Sequence, residues 1–234
     1  MPQLMMVEDI PVELRRNKRR RTRIAVNIDP AGHVVLDAPL HTQQHDVESL
    51  VREHARWLRF RVNQVREELA ERGPIGYRDG EVVLFLGDAL QLMTWPENSV
   101  VLAPGLLKVP TGDEASVKAA VRGWYLKRAR QVFGEVIEAY AVQLPWLQGE
   151  VPKWRTSFMK SQWGSCSAKG VIALNTHLVR IAKPLIEYVV LHELCHLRHH
   201  DHSRRFHALM SMYMPDWSDR SKSLRQNIGL LLDS

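Results

Sequence analysis

The sequence predicts an α+β protein: a small β-rich first part holding one long helix, and a mainly helical, histidine-bearing second part. Short runs rich in β-branched residues, broken by Gly, Pro, Asn and Asp, crowd the first 110 residues. Beyond residue 110, apolar residues recur at helical spacing over stretches too long for strands. With 234 residues, 45% of them hydrophobic, the chain can bury one large core or two small ones. The expected domains are 1–110 and 111–234.

In chain order, "TRIAVNI" and "HVVLDAP" flank "DPAG" and read as a hairpin. Asp46 can cap a helix whose apolar positions include Leu50, Val51, Trp57, Leu58, Val62, Val65 and Leu69, ended by Gly73-Pro74. "EVVLFLG", "ALQLMTW" and "SVVLAPG" read as strands of a small sheet. "VPTGDEAS" is the expected joint, with Thr111 or Asp113 capping a helix that runs to about Val142 and is stopped by Pro145. "RTSFMKSQWGSCSAKGVIALNTHLVRI" predicts a strand, a Gly/Ser turn and a second strand. Pro184, Ser203 and Asp216 then mark the starts of three more helices. No internal repeat stands out.

No stretch of eighteen apolar residues occurs, so no membrane span is expected. The N-terminus lacks the apolar segment of a signal peptide, and Cys166 and Cys195 are the only cysteines. Both point to a reducing, cytoplasmic setting without a disulfide framework. The net charge of +6 owes much to Arg15, Arg16, Lys18, Arg19, Arg20, Arg21 and Arg23. Such a run could bind nucleic acid, anionic lipid or a phosphorylated substrate. No aromatic residues interleave it, so its ordinary reading is a solvated strand.

"VVLHELCHLRHHDHSRRFH" places six histidines between His192 and His207. His192 and His196 are four apart and share a helix face, where two imidazoles can hold one zinc ion. Glu193 lies about 100° round the helix and can reach a water at the ion without being a ligand. This is the H-E-x-x-H arrangement. The residues before it, Leu185, Ile186, Val189, Val190 and Leu191, predict a buried helix, and buried histidines and a glutamate need a partner. His200 lies about 12 Å along a straight helix from His192, too far to share an ion. The helix must therefore stop and the chain turn back at "HHDHS". That favours His202 as third ligand, with His200 the alternative; His199 and His207 read as surface or packing residues. Cys195 points away from the histidine face and reads as a small buried hydrophobe.

Three blocks, "SQWGSCSAKGVIALNTHL" (161–178), "IEYVVLHELCHL" (186–197) and "HDHSRRF" (200–206), resemble the YgjP-like family of zinc metallohydrolases, which is related to the WLM and SprT-like zincins. The front half, from "RRNKRRRTRIAVNIDPAGHVVLDAP" through "VREHARWL", is similar to that family as well. Two departures are His207, where the family usually has tryptophan, and Gln162, where arginine is common. The resemblance implies a zincin-like domain: a short sheet packed on the motif helix, with a backing helix. It implies His192, His196 and His202 as zinc ligands, Glu193 as the catalytic glutamate, and a hairpin at "WGSCSAKGVIALN" beside the metal. Trp163, Cys166 and Asn175 could then line the cleft; a thiol at Cys166 would act as a nucleophile only beside a base.

The leading expectation is a zinc-dependent hydrolase, most plausibly a metallopeptidase, with Glu193 as general base. Tyr188, Tyr213, His207 and Arg204 are candidates to stabilise the oxyanion. A nucleoside triphosphate or phosphoester hydrolase is the alternative, with phosphates held by the basic run and "SRR". Against it, the chain has no G-x-x-x-x-G-K-[ST] loop and no carboxylate cluster suited to magnesium. A third expectation is a DNA-associated, SprT-like protease. The partners implied are a peptide or a small phosphorylated substrate, with nucleic acid at the basic run and no membrane.

Overall fold

Two four-stranded sheets of the same topology organise the structure, a computed structural model that describes residues 3–17, 24–28, 33–72, 76–159, 162–227 and 230. The first contains β1 (Gln3–Val7), β2 (Ile10–Arg16), β3 (Ala25–Ile28) and β4 (Val34–Ala38) in the order β1-β2-β4-β3. β1 and β2 form a hairpin, β2 runs parallel to β4, and β3 is antiparallel to β4. The expected hairpin is present as β3 and β4, with Ile28 opposite Val34. The β1–β2 hairpin was not foreseen. It turns at Glu8-Asp9, with Glu8 at φ +55°, and carries no Asn-Gly or Asp-Gly signal.

The helix expected after β4 is two helices, α1 (Gln44–Glu53) and α2 (Ala55–Arg72), separated at His54. Asp46 sits in the first turn of α1 rather than capping it; Gln43 occupies the cap position without a side-chain hydrogen bond. Val47, Val51, Ala55, Leu58 and Val62 face the sheet residues Val12, Leu14, Val34 and Leu36 in a core of their own. Arg15 pairs with Glu13, and Arg16 donates to the carbonyls of Leu40 and Thr42. Lys18, Arg19, Arg20, Arg21 and Arg23, the rest of the basic run, lie outside the described residues, as do the "DPAG" turn and Gly73-Pro74.

The chain divides into units 1–74 and 75–234, rather than at the expected joint after residue 110. Hydrogen bonding and packing explain the difference. The second sheet contains β5 (Val82–Phe85), β6 (Asp88–Trp95), β7 (Val101–Ala103) and β8 (Leu106–Pro110) in the order β5-β6-β8-β7. Its pairings repeat those of the first: a hairpin, then β6 parallel to β8 and β7 antiparallel to β8. This sheet shares its core with α3 (Glu114–Gln143), through Val83, Leu92, Leu107 and Val109 against Val117, Val121 and Trp124. Tyr125 on α3 donates to the Leu84 carbonyl at 2.6 Å. The Leu86 amide donates to the carbonyl of Val179, far along the chain, at 2.7 Å.

α3 matches its sequence signals closely. Asp113 caps it by accepting from the Ser116 amide, and it ends before Leu144-Pro145. The region after it yields three strands rather than two: β9 (Trp154–Ser157), β10 (Gly164–Cys166) and β11 (Ile172–Asn175), in the order β10-β11-β9. β10 is therefore an edge strand. A 3₁₀ turn at Thr176–Arg180 leads into α4 (Lys183–His196), which has Pro184 in its first turn; α5 (Arg204–Tyr213) and α6 (Trp217–Arg225) follow. Among the described residues no helix is long and apolar enough to cross a membrane.

Candidate metal centre

α4 is apolar on every side, with Ile186, Val189, Val190, Leu191, Leu194 and Cys195 buried, and it packs against α3, α5, α6 and β10. Its last turn carries the polar residues of the motif. His192 and His196, one turn apart, bring their Nε2 atoms to 3.2 Å. The helix ends at His196. The amides of Arg198 and His199 both fold back onto the Cys195 carbonyl, and the chain reverses. The reversal brings His202 back over the helix end, with its Nε2 3.1 Å from that of His192. Ligand atoms of His192, His196 and His202 lie within 4.8 Å of one another. His200 is exposed and outside this group, and His199 contributes its carbonyl rather than its ring.

Phe206 forms the floor. Its ring centroid is 4.9 Å from that of His192, 4.7 Å from His196 and 4.9 Å from His202, and it is 1% exposed. Sequence reasoning assigned Phe206 no role. Its available signal was an aromatic residue in the first turn of the helix that follows the third histidine.

The donor chemistry fits a metal ion. The carbonyl of His199 can only accept, so the His196 Nδ1 at 3.0 Å carries the proton and its Nε2 presents a lone pair. Burial, reinforced by His196 and His202, pushes His192 down to about 3, and burial also lowers His196, so both rings are neutral near pH 7. The His192 Nε2 faces both partners but can carry only one proton, so at most one of the two contacts can be a proper hydrogen bond. Three imidazoles converging in this way suit a borderline-soft divalent cation.

Glu193, adjacent to His192, is 6% exposed, and its Oε2 has no hydrogen-bond partner among the described residues. Burial pushes its carboxyl up to about 8. A cation in the histidine cluster would favour the carboxylate form again. Cys166 on β10 is half-buried, and burial together with the Glu193 carboxylate raises its thiol, which does not suit a nucleophile. Cys195 is buried and pushed up to about 12.

Asn175 does not line a cleft. It is fully buried, accepting from the Met159 and His177 amides and donating to the Met159 and Gln162 carbonyls. Three of these bonds hold the chain between β9 and β10 and the fourth caps the 3₁₀ turn after β11, leaving none for a substrate. Trp163 is half-buried at the start of β10, and its carbonyl accepts from the Asn175 amide. Of the oxyanion candidates, Tyr188 lies 5.9 Å from the His192 ring, and His207 lies 6.4 Å from His202, stacked on Trp217. Tyr213 packs instead on Trp146, and Arg204 is exposed at the start of α5.

A buried helix ending in a histidine pair, a buried glutamate beside the first of them and a third histidine folded back onto the helix make the arrangement of a metal-dependent hydrolase. The chain belongs to the YgjP-like family, whose metallopeptidase domain matches residues 22–227. The comparison with curated proteins found no match.

Proposed function

We propose that the protein is a zinc-dependent peptidase in which His192, His196 and His202 hold the ion and Glu193 is the general base. The observation that carries this reading is the convergence of three imidazole nitrogens next to a buried carboxyl group, one oxygen of which has no hydrogen-bond partner among the described residues. Zinc bound there would polarise a scissile carbonyl and lower the pKa of a water towards about 7. Glu193 takes the proton of the attacking water and returns it to the leaving amine. Burial raises its proton affinity, and a cation in the histidine cluster would keep it ionised until it takes the proton. β10 supports a peptide substrate over a nucleotide. It is a free sheet edge against α4, where an extended chain could add as a further strand.

Glu193→Gln tests the assignment. It preserves shape and leaves the three histidines in place, so zinc content stays near wild type while hydrolysis falls by about 10²-fold or more. Parallel assays with a quenched fluorescent peptide library and with nucleoside triphosphates decide the substrate. Hydrolysis of the triphosphate alone would displace the peptidase reading, and full activity in zinc-loaded Glu193→Gln would remove Glu193 as the base.

A further inference from the structure

β10 begins with a glycine that its backbone does not require. Gly164 pairs with Leu174 in an ordinary antiparallel register and is not among the positive-φ glycines. A glycine inside a strand costs stability and often marks a close approach by another group. Here the approaching group is a single side chain. A β-carbon on Gly164 would lie 2.7 Å from Oε1 of Glu193, 2.9 Å from its Cγ and 3.1 Å from its Cδ, and these are its three nearest neighbours. The Glu193 side chain thus lies flat against the bare α-carbon of β10.

We propose that Gly164 is a positioning residue whose missing side chain sets where the Glu193 carboxylate sits relative to the histidine cluster. This rests on the reading of Glu193 as general base. α4 and β10 pack directly on each other, so the carboxylate is confined between helix and strand. Among the described residues no hydrogen bond on Oε2 holds the group, and contact with the strand takes over the role. A methyl group at 164 would meet the flexible end of Glu193, so the carboxylate would give way before the backbone. A displacement on the order of 1 Å at a catalytic group can cost about 10²-fold in rate. The histidine ligands belong to α4 and to the turn after it, so their arrangement would survive.

The test is Gly164→Ala in the zinc-loaded, full-length protein. Zinc content and melting temperature should stay close to wild type. In its crystal structure the Glu193 carboxylate should be displaced from the strand while the three imidazoles superpose. On the fluorescent peptide library, kcat should fall by about tenfold or more with KM changed much less. An unmoved carboxylate, or a fall confined to KM, overturns the proposal. Should Gly164→Ala fail to fold, Gly164→Ala combined with Glu193→Ala should fold and bind zinc, because the obstructing atoms are gone; failure of that pair would show that Gly164 serves the backbone instead. Activity surviving in Glu193→Gln would sink the base assignment itself. Loss in Glu193→Gln with full activity in Gly164→Ala would sink only the positioning role.

Discussion

Phe206 stacks on His196 with ring centroids 4.7 Å apart and planes inclined by 29°, and the same ring touches His192 and His202 edge-on. One side chain from α5 therefore supports all three imidazoles. Phe206→Ala should destabilise the fold by about 3–5 kcal/mol, as large core truncations do. It should also weaken metal binding by about 10- to 100-fold, the usual scale for removing a group that orients ligands. Chemical denaturation with and without chelator, together with metal titration, measures both. A stability loss with unchanged metal affinity would reduce Phe206 to core packing alone.

His202 reaches the cluster only because the helix ends at His196 and the chain reverses. His202→Ala should lower metal content far more than His200→Ala or His199→Ala. His199→Ala is expected to be mild because its contribution, the carbonyl 3.0 Å from the His196 Nδ1, survives the substitution. Metal analysis of the three variants orders them, and a greater loss in His200→Ala would contradict the reversal.

Asn175→Ala should behave as a loss of structure, not of substrate affinity. It leaves the Met159 and Gln162 carbonyls and the His177 amide without the partner they now have. Each abandoned buried group costs about 1–3 kcal/mol. A clear drop in melting temperature is expected; a rise in KM at unchanged stability would restore Asn175 to the cleft.

His177 is 2% exposed and faces Arg180, Arg122 and Lys118. Burial first, and then those cations, push it down from 6.5 to about 3. The unfolded chain takes up this proton below about pH 6.5, whereas the folded chain resists it until about 3. The stability contribution is therefore complete above pH 6.5 and is lost as pH falls towards 3. His177→Phe, which keeps an aromatic ring beside Phe158, should lose less stability between pH 7.5 and pH 5 than wild type in urea denaturation. Equal pH slopes would show that His177 does not titrate across that window.

The parts legible in the sequence were those with local causes. Asp113 and Pro145 bracket α3, Pro184 opens α4, and the His192–His196 spacing with the polar turn after it brought His202 into view. What escaped depends on partners distant in the chain. Val109 and Pro110 read as part of a joint, yet they end β8, and the sheet that contains β8 shares its core with α3, which puts the division at residue 74 instead of 110. The repeated strand order of the two sheets is a property of pairing, which a single sequence with dissimilar residues does not display. Asn175 is placed in the cleft by the resemblance that sets its hairpin beside the metal, yet its four bonds go to backbone groups that the fold brings round it. Phe206 and Gly164 carry an apolar side chain and none at all, so their own chemistry marks no role. Only the structure puts one beneath the histidines and the other against Glu193.

The proposed chemistry depends on the three converging imidazoles holding one zinc ion. The most direct measurement is the zinc content per chain of the native protein purified without added metal, beside His192→Ala and His196→Ala. One zinc per chain is expected in the native protein, with its loss in both variants and a lower melting temperature in step with that loss, since metal binding and folding are linked. Full zinc occupancy in both variants would place the ion elsewhere and contradict that expectation.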